Sequence, residues 1–138
     1  MTEYSQDDSI RFLIAKEEKK YEINLDERLI KFSVDIIKML QTLPYKKELD
    51  VFRNQLSRSA TSIGANFQEA QAATYKEFIS KLRISLREAN ETKYWLRIVK
   101  ELDLINKDKL HNLIDEVEQL SKILGAIVSR AAKKLNTK

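Results

Sequence analysis

The stretch Arg58-Ser-Ala-Thr-Ser-Ile-Gly-Ala-Asn-Phe-Gln-Glu-Ala70 decides how the chain folds. Ala60, Ile63, Phe67 and Ala70 recur at spacings of three and four, the apolar stripe of a helix packed on a core. Beside it runs a polar stripe at the same spacing, Ser59, Ser62, Asn66 and Glu69, with Arg58 next to Ser59. Ser57, Ser59, Ala60, Ser62, Gly64 and Ala65 are small enough to admit a second helix closely. Glycine inside a helix costs roughly 1 kcal/mol relative to alanine. Gly64 therefore points to a close backbone approach that offsets the cost.

Working outward, the spacing predicts a helix from about residue 47 to residue 72, with Val51, Phe52 and Leu56 extending its core side. Thr74 and Glu77 then form a capping box, so a helix begins at Tyr75 after a very short connection. Two helices joined so tightly must lie antiparallel. The second runs to about Leu102 and directs Phe78, Leu82, Leu86, Ala89, Leu96 and Val99 inward, with Tyr94 and Trp95 adding aromatic surface. Upstream, Asn24 with Glu27 is an asparagine version of the capping box and opens a helix that Pro44 closes. That helix carries two apolar rows: Leu29, Phe32, Ile36, Leu40 and Leu43, and next to them Ile30, Val34 and Ile37. Two rows exceed what one neighbour covers, so this helix is central or meets another subunit. Downstream, Asn106 caps a last helix whose Leu110, Leu113, Val117, Leu120, Leu124, Ile127, Ala131 and Leu135 follow bundle spacing. Gly125 within it suggests close packing.

The expected fold is all-α: an antiparallel up-down-up-down four-helix bundle over residues 24–138, preceded by an N-terminal extension, residues 1–23. Ile10, Phe12, Leu13, Ile14, Tyr21 and Ile23 in the extension fit a strand, a helix or a docking arm, and the expectation is a partly ordered appendage. A hydrophobic content of 43% with 33% charged residues is globular, and two glycines and one proline favour long helices over loops. There is no cysteine, hence no disulfide or thiolate chemistry. No apolar run approaches the roughly 18 residues of a membrane span, and Glu3, Asp7 and Asp8 do not suit a signal peptide. A cytoplasmic protein with no membrane partner is expected.

Three blocks carry a family resemblance: the stretch quoted first, Glu77-Phe-Ile-Ser-Lys-Leu82, and Glu88-Ala-Asn-Glu-Thr-Lys-Tyr-Trp-Leu96. In their order and spacing the chain resembles the small bacterial four-helix-bundle proteins encoded in ribosomal-RNA intervening sequences, over roughly residues 24–135. The resemblance implies an antiparallel four-helix protomer assembled into a ring-like homo-oligomer, a pentamer. It also implies a glycine where this chain has Asp103, and hence a left-handed backbone there. A bundle similar in fold is the accessory protein of diversity-generating retroelements, which binds nucleic acid and a reverse transcriptase.

The net charge of +4 is unevenly spread. Arg53, Arg58, Lys76, Lys81, Arg83, Arg87, Lys93, Arg97 and Lys100 face only four acids within residues 51–100, and after Glu118 there are only bases. Lys76, Arg83, Arg87 and Lys100 recur along the outside of their helix, with Lys93 and Arg97 nearby. Arg130, Lys133 and Lys134 end the last helix. These nine are the candidate nucleic-acid-binding residues, repeated in each subunit of an oligomer. No recognition helix, RNP sequence or zinc finger is present, so phosphate and shape would be read more than bases. Tyr75, Tyr94 and Trp95 are available for stacking, although core or interface roles are commoner for aromatics at this spacing.

Counting outward from the Ala73–Thr74 turn puts Arg58 opposite Ala89, within reach of Glu88 and Glu91, and puts Asn66 and Glu69 near Lys81. Arg58, Ser59, Ser62, Asn66, Glu69, Lys81, Glu88 and Glu91 are therefore assigned to a structural polar network. Glu88 and Glu91 could be read as half a metal site, but carboxylate bundles use Glu-x-x-His and His111 has no such partner. No serine has a histidine or cysteine arranged beside it, and no glycine-rich phosphate loop is present. No cofactor, metal or catalytic residue is assigned. The leading reading is a non-catalytic homo-oligomeric scaffold binding RNA or DNA. The alternative is a homo-oligomeric adaptor for a protein partner.

Overall fold

The turn at residues 72–74 shows how local chemistry starts the packing. The Thr74 side chain accepts from the Glu77 amide at 3.3 Å, and the Glu77 carboxylate accepts from the Thr74 amide at 3.1 Å. Both halves of the capping box are made, so a helix begins here within three residues of the last one. The computed structural model describes residues 6–136, with side chains from Asp8 onward. The outermost residues of the expected extension, 1–5, and Lys138 of the basic C-terminus lie outside the described residues.

The described residues are all-helical: α1 (Gln6–Tyr21), α2 (Leu25–Leu40), a 3-10 turn (Lys47–Leu49), α3 (Asp50–Gln71), α4 (Tyr75–Glu101) and α5 (Lys107–Asn136). α2 packs on α3, α3 on α4, α4 on α5, and α5 returns to α2. Partners run in opposite directions along each seam. Ser59 of α3 meets Thr92 of α4, and Glu69 further along α3 meets Lys81. Tyr75 of α4 reaches Ala131 of α5, while Lys93 reaches Glu118. Between α2 and α5, Arg28 grips Glu116 through both Nε and Nη2. Leu29, Phe32, Ile36, Leu56, Ile63, Phe67, Phe78, Leu82, Leu96, Leu120 and Leu124 are all essentially without solvent exposure. Burial of side chains of this size stabilises by about 1.5–3 kcal/mol each.

The first 16 of the described residues are a helix. Ile10, Leu13, Ile14 and Glu17 share one face, and all four are buried in the same core as the rest. Of the strand, helix or docking arm that the sequence left open, residues 6–21 take the helix, and that burial docks it on the core. A Schellman motif ends α1: the Ile23 amide bonds Glu18 O at 3.0 Å, the Glu22 amide bonds Lys19 O at 3.3 Å, and Glu22 adopts φ 53°. Glu18 then turns its carboxylate onto the Leu25 amide at 2.7 Å, and Asn24 accepts from the Glu27 amide at 3.0 Å. Two otherwise orphaned amides at the start of α2 are thereby satisfied.

Four expectations about packing change. α2 ends at Leu40, four residues before Pro44, and the Arg53 guanidinium closes the corner by donating to the Leu43 and Pro44 carbonyls. Val51, in the first turn of α3, faces outward. Leu135 is exposed because α5 overruns Tyr75, the first residue of α4, by a full turn beyond Ala131. Gly125 has open space where a Cβ would stand, so it does not serve close packing within the protomer. A Cβ at Gly64, by contrast, would lie 3.4 Å from Leu29 Cβ of α2, a close approach at van der Waals contact. Asp103 is left-handed at φ 57°.

Candidate nucleic-acid interface

α4 packs on α3 and on α5 and leaves a further side to solvent. Ser85, Ala89, Thr92, Leu96 and Val99 are buried. Opposite them, Lys76, Ser80, Arg83, Arg87, Asn90, Tyr94 and Arg97 alternate at spacings of four and three and are all exposed. At 1.5 Å per residue this ridge is about 32 Å long. Lys76, Arg83, Arg87 and Arg97 make no ion pair with any described residue. No direct ion pair among the described residues therefore neutralises these four, and Arg97 borders a cleft with carboxylates, Glu101 and Glu118.

The other candidate cations are placed differently. Lys93 and Lys100 turn from the ridge toward α5 and, with Arg97 at the edge of the ridge, line a cleft of about 260 Å³ that also holds Glu101 and Glu118. Lys93 pairs with Glu118 at 2.9 Å and holds that carboxyl below the ordinary range, chiefly by the hydrogen bond. Arg130 is engaged by Glu17 of α1. Lys134 donates to Ser9 Oγ at 3.4 Å. Lys133 is exposed in the last turn of α5. The nine residues thus do not form one surface: four line the α4 ridge, with Arg97 also bordering the cleft toward α5 that Lys93 and Lys100 enter, and three lie at the end of α5.

On the inner side of α4, Arg58 Nη2 donates to Glu91 Oε1 at 2.6 Å, and Nη1 contacts Glu88 Oε2 at 3.2 Å. The Arg58 hydrogen bond, with a smaller contribution from Trp95 Nε1 at 3.3 Å, holds the Glu91 carboxyl below its usual range. Lys81 pairs with Glu69 at 2.8 Å. Ser59 accepts from Thr92 Oγ1 at 2.9 Å with both residues buried. Ser62 and Asn66 do not cross to α4: Ser62 Oγ donates to Arg58 O and Asn66 Nδ2 to Ser62 O within α3. Glu88 and Glu91 both face Arg58, and no three His, Asp or Glu side chains converge as a metal site among the described residues. Reading the sequence missed Ser85, which donates to Ile63 O at 2.9 Å, and Thr92. Their signal was a pair of small polar residues seven apart within an apolar face. It also missed Glu17, buried with Oε2 unpartnered, which no spacing rule distinguishes from a solvated glutamate.

The fold and this surface define a class: an all-helical protein with a cationic outer ridge on α4. No helix among the described residues is long and apolar enough to cross a membrane. Residues 21–126 match the 23S rRNA-intervening sequence protein family, and the chain belongs to that family. It is similar to a protein of unknown function from the S23 ribosomal protein family of Bacteroides thetaiotaomicron, known from a crystal structure, with 33% identity and a TM-score of 0.71. That likeness covers 76% of this chain and 98% of the other. No curated protein matches the chain. Nearly all of α1 precedes the family match.

Proposed function

We propose that this protein is a non-catalytic cytoplasmic scaffold: a ring-like homo-oligomer, a pentamer of antiparallel four-helix protomers, that binds RNA or DNA backbone through the α4 ridge. The observation that carries the reading is the line of Lys76, Arg83, Arg87 and Arg97, solvent-facing and without acidic partners among the described residues. Cations spaced along a rod suit a phosphate backbone, and each phosphate neutralised makes binding more salt-dependent. Self-association is supported by the second apolar row of α2. Ile30 is 61% exposed, Val34 44% and Ile37 36%, beside an apolar groove of about 350 Å³ reaching Gly64 and Ala65. Rows of this kind call for a covering partner. A ring would present the ridge several times, so that weak contacts combine.

The same α2 row favours a second reading, an oligomeric adaptor for a different protein, with the ridge merely solvated. Charge reversal separates the two. Arg83→Glu with Arg87→Glu is expected to abolish binding to structured RNA and duplex DNA in a salt series while light scattering shows an unchanged mass. Absence of wild-type binding at low salt favours the adaptor. A mass near the 16.2 kDa protomer for the wild-type protein defeats the oligomer in both readings.

A further inference from the structure

Three aromatic residues compete for a stacking role, and burial separates them. Tyr75 is buried and spends its hydroxyl on Ala131 O at 3.1 Å. Trp95 is half-buried, edge-on to Phe52 at 6.1 Å between ring centres, with its Nε1 on Glu91. Tyr94 is 60% exposed and its hydroxyl bonds no described residue. It stands on the α4 ridge, four residues after Asn90 and three before Arg97, with Arg87 two turns earlier.

Tyr94 is also braced. Its ring meets Trp95 at 5.3 Å between centres and 65° between planes. Trp95 is held in turn by Phe52 and by Glu91, which Arg58 fixes at 2.6 Å. A chain of contacts from α3 thus supports the one large aromatic that projects among the ridge cations. An exposed phenol costs little to order when its neighbour already restricts it.

We propose that Tyr94 is a base-stacking platform and that the α4 ridge takes single-stranded nucleic acid, with Arg87 and Arg97 on the flanking phosphates and Asn90 free to bond a base edge. The inference rests on the nucleic-acid reading above and goes beyond it by naming the strand state. Bases in a duplex are stacked on each other, and an A-form helix offers a protruding ring only backbone and a shallow groove. Unpaired bases present their faces, and an aromatic among cations is the arrangement that exploits them.

The test measures binding of the full chain to three probes at one salt concentration: a uridine-rich RNA strand, the DNA strand of the same length, and a blunt RNA duplex. Tyr94→Ala is expected to weaken single-strand binding about tenfold or more while duplex binding and the oligomer mass stay unchanged. Tyr94→Phe, which keeps the ring, should bind like wild type. The two single strands separate an RNA ligand from a DNA one, and stronger binding of either than of the duplex supports the proposal. Equal loss on strand and duplex, or no loss, overturns the stacking role while leaving the ridge intact. A changed mass for Tyr94→Ala also overturns it, because the ring would then be a subunit contact. Wild-type protein that binds none of the probes sinks the nucleic-acid reading itself, a different result from a silent Tyr94→Ala.

Discussion

The seam between α3 and α4 and the seam between α1 and α5 both join an arginine to a carboxylate, on very different terms. In the first, Arg58, Glu88 and Glu91 are partly solvated, and Trp95 shares the Glu91 oxygen. In the second, Glu17 is fully buried, Arg130 alone is seen to answer it, and Glu17 Oε2 has no hydrogen bond. The solvated network tolerates imperfection, since water remains as a partner. The buried carboxylate has no such reserve, and its neutralisation depends on one side chain. Nearly all of α1, and Arg130 on α5, also lie outside the residues that match the family.

The largest expected effect breaks the second seam. Arg130→Ala strands the Glu17 charge and should cost about 3 kcal/mol, the low end for a broken buried pair because Arg130 is itself a third exposed. Replacing both, Glu17→Leu with Arg130→Met, should restore most of that loss, as apolar substitutes for buried pairs commonly do. Urea denaturation reads both variants. Hydrogen exchange adds a distinction: if α1 leaves the core in Arg130→Ala, only amides of residues 6–21 lose protection, and the loss of stability is limited to the docking of α1. A small effect of Arg130→Ala on both readouts would mean that the two seams do not differ as described.

A smaller effect sharpens the first seam. Arg58 depresses the Glu91 carboxyl mainly through its hydrogen bond. The folded protein therefore binds this proton less readily than the unfolded chain. The stabilisation is complete above the ordinary glutamate value, about 4.3, and is lost as pH falls through the lower folded value. Glu118 beside Lys93 acts in the same direction. Arg58→Gln should cost about 0.5 kcal/mol at neutral pH, as partly exposed pairs do. The difference from wild type should vanish in acid, once Glu91 is protonated in both states. A difference that persists at low pH would assign the loss to packing of the Arg58 stem instead.

How much of this was legible in the sequence follows the same division. α2 to α5 announce themselves through three-four spacing and caps, since Asn24, Thr74 and Asn106 each satisfy an amide with their own side chain. Counting outward from the Ala73–Thr74 turn carries Arg58 to Glu88 and Glu91 because antiparallel helices keep register over a few turns. That counting cannot say which polar side chains cross the seam, so Ser62 and Asn66 turn back to their own helix while Ser85 and Thr92 go unnoticed. α1 was obscured for a physical reason. Its inward row is Ile10, Leu13, Ile14 and then Glu17, and a charge in the core row erases the periodicity on which a helix reading depends. The ridge of α4 was legible in part. Lys76, Arg83 and Arg87 were placed together, but Lys100 drifts toward α5 and Arg97 takes its place, because a three-four pattern slowly turns around a straight helix.

The smallest effect concerns two glycines that sequence reasoning treated alike. Gly64 faces Leu29 Cβ at 3.4 Å, whereas Gly125 faces nothing within 4 Å. In the isolated protomer Gly125→Ala should therefore gain helix propensity without a clash and raise stability by about 0.5–1 kcal/mol. Gly64→Ala should gain less, because Leu29 must accommodate a methyl group already at contact. Thermal unfolding at fixed protein concentration, alongside light scattering, tests the pair. If Gly125→Ala instead lowers the melting temperature or the assembled mass, the open space at Gly125 belongs to another copy of the chain, and α5 joins α2 among the surfaces that the oligomer would cover.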